Sequence, residues 1–395
     1  MYFRKKLDRI KKQEKEVCNM KELIEKQKLE NAIQFYMLAN NLKYKTKDHI
    51  QSLADQVYGA IILAIAMNSE YNLVEEHELA PVIRMILLGT INENYHEELC
   101  AILGKMNKGK LYNLDTHESQ KPNEFRSKNG KFALHCTNTE YMLEYFFENF
   151  LVEQNIKSNN IEDLYHIAAS HGIMDTIGND PLKNYEIFRF YYLNRVLKQK
   201  VRSGWDSTHW NISNERIERI SEHCVGTIAL AIALKSEFEF DVDLNKVISI
   251  LCVHEVGEIQ IGDITPFDDI TPEQKQEIEH KAIIEVIGNL SNRDNIINSI
   301  FEFDKRETNE AKFAHYCDKL EADIQAKVYQ DMGCHHPLTE QQNNVVFKSE
   351  RVQKMVKEGA TTAFDIWYEW DKSIYTEEPV FTKVLKYVKD NNIKN

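Results

Sequence analysis

The chain has 395 residues, 43% of them hydrophobic, and a formal net charge of −13. This size and hydrophobic content suit two folded domains and exclude a chain that is disordered throughout. The negative charge argues against general nucleic-acid binding, which depends on cationic contacts with phosphate. The longest apolar run, Ala60–Met67, is too short to span a bilayer, so no membrane partner is expected.

The first segment, Met1–Glu30, differs from the rest because it carries a local net charge of +4. We interpret it as a charged helix that forms a solvated face or a dimer contact; a nucleic-acid or membrane role is the weaker alternative. It lacks the apolar stretch of a signal peptide. Seven cysteines are scattered without a CxxC pair, which is typical of reduced thiols in a cytoplasmic protein.

The chain contains only 7 prolines and 14 glycines, and helix-forming residues fill long stretches between them. This composition predicts an all-α fold. Two polar stretches, Gly104–Lys131 and Glu153–Asp163, indicate a long loop and a break between domains. We therefore expect a charged helix over residues 1–30, one helical domain over 31–160 and a second over 184–395.

An internal repeat relates these two domains. Leu53–Tyr71 aligns without gaps with Ile220–Phe238, and eight of the nineteen positions are identical, including Gly59 and Gly226. Two further pairs of segments align in the same order, namely Phe35–Lys43 with Phe190–Lys198 and Val82–Glu93 with Val247–Glu258. Three matched blocks predict two copies of one helical unit, as gene duplication produces.

The two copies differ at positions that could carry chemistry. Gln56 stands opposite His223, Gly89 opposite His254 and Thr90 opposite Glu255. A repeat that served packing alone would not need ionisable groups in one copy only. The second copy is therefore the better candidate for a functional site.

The segment "HEVGEIQIGDITP", residues 254–266, holds the densest group of ionisable residues. In a helix ending near Ile259, His254 and Glu258 would lie one turn apart on one face, with Glu255 beside them. Gly262 permits a sharp turn that would carry Asp263 back over the helix end. Imidazole and carboxylate groups of this kind suit Mn, Fe, Co, Zn or Mg.

Two other predicted helices offer a ligand each, His223 in "SEHC" and Asp318 in "HYCDKLEADIQ". A lone histidine on a helix is more often structural than catalytic, so His223 by itself does not indicate a metal site. The remaining histidines are weaker candidates: His280 and His315 are expected to be surface histidines, with outer-shell groups as the alternative, and a structural role is expected for His335 and His336. Walker-type, dinucleotide-binding and serine-hydrolase motifs are not found.

Residues from about Asn184 to Tyr375 resemble the HD-domain metal-dependent phosphohydrolases, above all the branch that contains 5′-deoxyribonucleotidases. Four blocks carry the resemblance in the family's order: "LKQKVRSGW" (Leu197–Trp205), "RISEHC" (Arg219–Cys224), "HEVGEIQIGDITP" and "CDKLEADIQAKVY" (Cys317–Tyr329). The resemblance implies a bundle of α-helices, commonly a homodimer, and a nucleotide substrate. The first copy would then be a degenerate HD-like domain.

The resemblance also implies roles for particular residues. It places the four ligands of a divalent metal ion on His223, His254, Glu255 and Asp318. It assigns the acidic residues around the attacking water and substrate to Glu258 and Asp263, and the contacts with phosphate and nucleoside to Arg202 and Trp205.

One position departs from the family pattern, because Glu255 stands where the family has aspartate. The extra methylene moves the carboxylate by about 1.5 Å. The leading hypothesis is a metal-dependent phosphohydrolase that removes the 5′-phosphate of a (deoxy)nucleoside monophosphate. The alternative is a catalytically weak regulatory or assembly protein, and a dinuclear HD oxygenase is disfavoured because it needs further histidine ligands.

Overall fold

The structure is a computed structural model. It describes residues 2–46, 51–106, 127–205, 210–212, 217–262, 271–341 and 344–393. Within these ranges helices are joined by turns, three isolated β-bridges occur and no strand is formed, so the all-α prediction is confirmed. No described helix has the length and apolar character needed to cross a membrane.

In the part of the first half that the structure describes, there are seven main helices: α1 (Tyr2–Asn40), α2 (Leu53–Tyr71), α3 (Glu76–Asn94), α4 (His96–Lys105), α5 (Lys128–Tyr145), α6 (Ile161–Ser170) and α7 (Pro181–Asn194). Helix α5 runs on through a π-helical turn at Phe146–Phe150 and a last turn at Leu151–Glu153. Short 3-10 turns follow α1 at Asn41–Tyr44 and α7 at Arg195–Lys198.

The second half continues with ten helices among the described residues: α8 (Ile220–Glu237), α9 (Leu244–Leu251), α10 (Glu258–Ile261), α11 (Pro272–Ile287), α12 (Arg293–Lys305), α13 (Asn309–Asp331), α14 (Val345–Lys348), α15 (Glu350–Lys357), α16 (Ala363–Asp371) and α17 (Pro379–Asp390).

Helices α2 and α8 form the centre of the molecule and are buried on almost every side. Helix α2 begins at a capping box, in which Ser52 Oγ accepts a hydrogen bond from the Asp55 amide and Asp55 accepts one from the Ser52 amide. At the start of α8, the Glu222 carboxylate accepts a hydrogen bond from the Arg219 amide. Such reciprocal bonds satisfy the free amides of the first turn. Helices α2 and α8 contact each other. Helix α1, which precedes α2 in the chain, packs on α8, and helix α7, which precedes α8, packs on α2.

One continuous hydrophobic core links the two halves, since its buried residues run from Leu29 to Ile393. A smaller cluster around Val352 lies beside it. The division into domains at 31–160 and 184–395 stays a prediction. Within the described residues, the halves share their apolar core rather than each enclosing its own.

The helix predicted to end near Ile259 ends earlier, at Leu251, and that expectation is wrong. Cys252–Gly257 form turns, and α10 starts afresh at Glu258. The imidazole Nδ1 of His254 lies 2.8 Å from the carbonyl oxygen of Leu251. It therefore satisfies a carbonyl that a continuing helix would have bonded to a backbone amide. The predicted turn at Gly262 is present, with φ at +80°.

Candidate metal centre

Four side chains from three separate segments meet beside α8. His223 comes from α8, His254 and Glu255 from the turns after α9, and Asp318 from α13. One ligand atom of each lies within 4.8 Å of the ligand atoms of the other three. The same four residues are those that the sequence predicts as metal ligands.

The carboxylate of Glu255 lies between the two imidazoles, and that of Asp318 lies beside His223. His223 Nε2 is 3.0 Å from Asp318 Oδ1 and 3.5 Å from Glu255 Oε1. His254 Nε2 is also 3.5 Å from Glu255 Oε1. The longer glutamate side chain therefore reaches both histidines. Its carboxylate oxygen stands where an oxygen ligand of a shared cation would be needed.

The second nitrogen of His254 fits a metal ligand. Its Nδ1 donates to the Leu251 carbonyl, so the lone pair of the neutral ring is on Nε2. This Nε2 atom is buried and has no hydrogen-bond partner among the described residues. Burial lowers the pKa of His254, which favours the neutral ring that a cation requires.

His223 is held from both sides. While Nε2 faces the carboxylates, Nδ1 lies 2.5 Å from Glu321 Oε2. Burial and Arg202 lower the pKa of His223, but Glu321 and Asp318 raise it more, and the balance puts it at about 9. Without a cation this histidine is therefore protonated near neutral pH, and a metal would displace its Nε2 proton.

Two cationic side chains flank the carboxylates. Arg202 Nη1 lies 3.5 Å from Glu255 Oε1, and Lys319 Nζ lies 3.0 Å from Asp318 Oδ2. Burial raises the pKa of Asp318, but Lys319 and His223 outweigh it and hold this pKa well below its usual range. Carboxylate ligands with a guanidinium and an ammonium beside them form a site suited to a cation together with an anionic group.

The other predicted site residues lie near this cluster or outside the described ranges. Glu258 is buried at the start of α10, where its backbone amide bonds the Glu255 carbonyl. Asp263 lies outside the described residues. Trp205 is 3% exposed, stacks on Trp367 at 4.9 Å between ring centroids, and donates its indole N–H to Glu218.

Comparison with known proteins bears on the same region. The family model described as "HD domain" matches residues 195–373. The protein named 5′-deoxynucleotidase HDDC2 from Dictyostelium discoideum is 32% identical over 158 residues, covering 38% of this chain and 79% of the relative. The human protein of the same name is 27% identical over 148 residues, covering 37% and 69% of the two chains.

The chain belongs to the HD-domain family.

A solved structure of a conserved hypothetical protein from Pyrococcus furiosus is also similar to part of this chain. It is 25% identical with a TM-score of 0.30, and the match covers 43% of this chain and 95% of that one.

Sequence reasoning missed two residues of the HD domain that contact the predicted ligands, Lys319 and Glu321. Both lie in a segment that repeats in the first half. Lys131–Tyr145 aligns without gaps with Lys312–Ala326, five of the fifteen positions are identical, and Glu140 matches Glu321. This fourth block of the repeat would have directed attention to the glutamate.

The remaining histidines differ in their distance from the site. His315 lies beside it, with Nδ1 4.0 Å from Asp318 Oδ2, and burial lowers its pKa to about 4. His280 pairs with Asp304 at 3.2 Å and packs on Phe301. His335 Nε2 contacts Gln330. Of these, His315 has the position of an outer-shell group.

Proposed function

We propose that this HD-domain protein removes the 5′-phosphate of a nucleoside monophosphate, most readily a deoxynucleotide, with the help of a divalent cation. The observation that carries the proposal is the convergence of four ligand atoms within 4.8 Å, one of them an unpartnered imidazole nitrogen. The relatives named 5′-deoxynucleotidase, most of whose length the chain covers, supply the reaction class.

The cation would be held by His223, His254, Glu255 and Asp318, and Mn, Co, Mg, Zn and Fe all accept such nitrogen and oxygen ligands. A bound cation of this kind lowers the pKa of water and offsets the charge of phosphoryl oxygens.

The chain's own cationic groups would bind the phosphate. A guanidinium can offer phosphate two parallel N–H donors, and Arg202 lies beside Glu255 while the Lys319 ammonium lies beside Asp318. Together they hold phosphate oxygens facing Glu255 and Asp318. Two cations suit the charge of a monophosphate, and no glycine-rich triphosphate loop occurs in the sequence.

We assign proton transfer and positioning of the attacking water to Glu258 and Asp263, which follow the ligand pair directly in the chain. Trp205 remains the predicted nucleoside contact. Its stacking on Trp367 and its bond to Glu218 also favour a supporting role, because Trp205 fixes the backbone that carries Arg202.

The test is phosphate release from a panel of nucleoside mono-, di- and triphosphates in the presence of Mn, Co, Mg or Zn. We expect release from monophosphates, faster with deoxyribose than with ribose. Metal binding without release from any nucleotide would overturn the enzyme proposal and favour the regulatory alternative.

We also propose that the first half is a duplicated HD-like unit without a metal. Gln56, Gly89 and Thr90 align with three of the ligands, and Thr137 aligns with Asp318 in the fourth block. These residues supply no charge to offset a divalent cation. A homodimer and a cytoplasmic location stay predictions, and light scattering on the purified chain measures the first.

A further inference from the structure

The first half of the chain reaches the candidate metal centre through one buried carboxylate. Glu321 is fully buried on α13, and its Oε2 atom lies 2.5 Å from Nδ1 of His223. Its other oxygen, Oε1, accepts hydrogen bonds from Tyr36 Oη at 2.7 Å and Lys43 Nζ at 2.6 Å. Tyr36 is on α1 and Lys43 on the turn after it, and both lie outside residues 195–373 that match the HD domain.

These two donors fix the orientation of the Glu321 carboxylate. Tyr36 is 0% and Lys43 6% exposed, so water does not replace them easily. With Oε1 held by both, Oε2 is directed at His223 Nδ1, which fixes the imidazole plane and keeps Nε2 toward Asp318. A carboxylate that bonds the rear nitrogen of a ligand histidine orients the ring and raises its basicity.

A glycine makes room for this arrangement. A Cβ atom at Gly226, one turn after His223, would collide with Oε1 and Cδ of Glu321. The missing side chain lets the carboxylate lie against α8 directly below the histidine.

A related arrangement surrounds Glu140, the residue that aligns with Glu321. Tyr191 donates to Glu144 at 2.6 Å, Lys198 donates to Glu140 at 2.6 Å, and a Cβ atom at Gly59 would lie 2.7 Å from Glu140. Gln56 occupies the position that His223 has in the second half. This counterpart therefore offers a control for what a buried tyrosine bonded to a glutamate contributes to packing.

We propose that Tyr36 and Lys43 are positioning residues of the metal centre: they hold Glu321 against His223, so that the first half completes a site whose ligands all lie in the second. The inference rests on the proposed function, because it takes His223 to be a metal ligand. The first half, which lacks metal ligands of its own, would thereby contribute to the metal centre.

The test compares Tyr36→Phe with Tyr191→Phe in the full chain. Each substitution removes one O–H from a fully buried tyrosine that bonds a buried glutamate. The measurements are the Kd for Co²⁺ by chelator competition, the visible absorption of the Co²⁺ protein, which reports ligand geometry, and the free energy of unfolding without metal.

We expect both variants to unfold more easily but only one to change metal binding. Tyr36→Phe should weaken Co²⁺ binding by about threefold or more, because the lost bond acts on the metal only through Glu321 and His223, and should alter the absorption bands. Tyr191→Phe should leave the Kd within about twofold and the bands unchanged. Glu321→Gln, the second variant, should weaken binding by about tenfold or more.

An unchanged Kd and spectrum in Tyr36→Phe, or an equal loss in Tyr191→Phe, would overturn the positioning role while the metal centre stands. If Tyr36→Phe does not fold, an unchanged Kd in Glu321→Gln overturns it in the same way. A wild-type chain that binds no Co²⁺ would instead overturn the proposed metal centre, and the positioning role with it.

Discussion

His254 is the residue whose surroundings are hardest to explain without a ligand. Its ring is buried, Nδ1 is committed to a backbone carbonyl, and Nε2 faces Glu255 without a hydrogen-bond partner among the described residues. A buried acceptor without a partner costs about 1–3 kcal/mol, and a cation would remove that cost.

Replacing His254 by alanine should therefore abolish metal binding at the concentrations that saturate the wild type. Because outer-shell changes alone cost about 10- to 100-fold in affinity, loss of a ligand should cost more than about 100-fold. His280→Ala, at a half-buried histidine paired with Asp304, is the matched control and should keep full metal content. Elemental analysis measures both, and full occupancy in His254→Ala would contradict the ligand assignment.

Glu255 replaces the aspartate of the family pattern. Its Oε1 atom lies 3.5 Å from Nε2 of both His223 and His254, so the longer side chain reaches the site. Glu255→Asp should alter metal preference and keep phosphate release within about tenfold, or about 1.4 kcal/mol in barrier. Kinetics with several metals check this. An inert wild type and an active Glu255→Asp would mean that the natural chain is a degenerate enzyme.

Helices α2 and α8 meet with their first turns face to face, and this junction holds two buried carboxyl groups. Asp55 accepts hydrogen bonds from Arg219 at 2.5 Å and Ser221 at 2.6 Å. Burial and the neighbouring Asp55 raise the pKa of Glu222 to about 8. The folded chain therefore keeps a proton on Glu222 that the unfolded chain loses near its ordinary pKa of 4.5.

Since the folded state binds that proton more tightly, the stability should fall as the pH rises from about 4.5 to 8. Glu222→Gln removes this effect and should raise the free energy of unfolding by about 1–3 kcal/mol at pH 8, with a smaller gain at pH 5. The exposed Glu277→Gln should show no such trend. Urea unfolding at both pH values measures it, and a gain independent of pH would contradict the assignment.

The periodicity of apolar residues predicted where the helices lie, but it predicted their ends less well. Helix α8 with His223 and helix α13 with Asp318 lie where the apolar patterns place them. The pattern continues through Cys252–Gly257, where the chain leaves the helix, because a histidine bonding the Leu251 carbonyl does not alter the spacing of apolar residues.

The features that the sequence did not predict depend on contacts between residues that are far apart in the chain. Tyr36 meets Glu321 across 285 residues, and neither residue carries a local pattern that marks the contact. The likeness of Lys131–Tyr145 to Lys312–Ala326 is visible in the sequence, and it pairs Glu140 with Glu321. Sequence alone could therefore indicate that this glutamate belongs to the repeated framework, but not that it bonds His223.

In the whole molecule, each half covers apolar surface that the other half would expose to water if it stood alone. Helix α1 lies along α8, α7 lies along α2, and the two central helices contact each other. The core is continuous across these contacts. Apolar surfaces of this kind are costly to expose to water, at about 25 cal/mol per Å².

The segment 184–395 expressed alone should therefore lose cooperative unfolding and bind a hydrophobic dye, although it contains all four predicted ligands. Co-expression with residues 1–183 should restore a cooperative transition, because it returns α1 to α8. Circular dichroism during heating measures this. A segment that unfolds cooperatively within about 5 °C of the whole chain would show that the halves are independent.

We propose that His223, His254, Glu255 and Asp318 together hold the cation that supports hydrolysis of a nucleotide 5′-phosphate. The most direct measurement is phosphate release from a deoxynucleoside monophosphate by chelator-treated protein, before and after Co²⁺ is added, with Asp318→Asn in parallel. We expect release by the wild type only after Co²⁺ is added, and a loss of at least about 100-fold in Asp318→Asn, or about 2.7 kcal/mol in barrier. Equal release with and without Co²⁺, or equal rates for the two proteins, would contradict it.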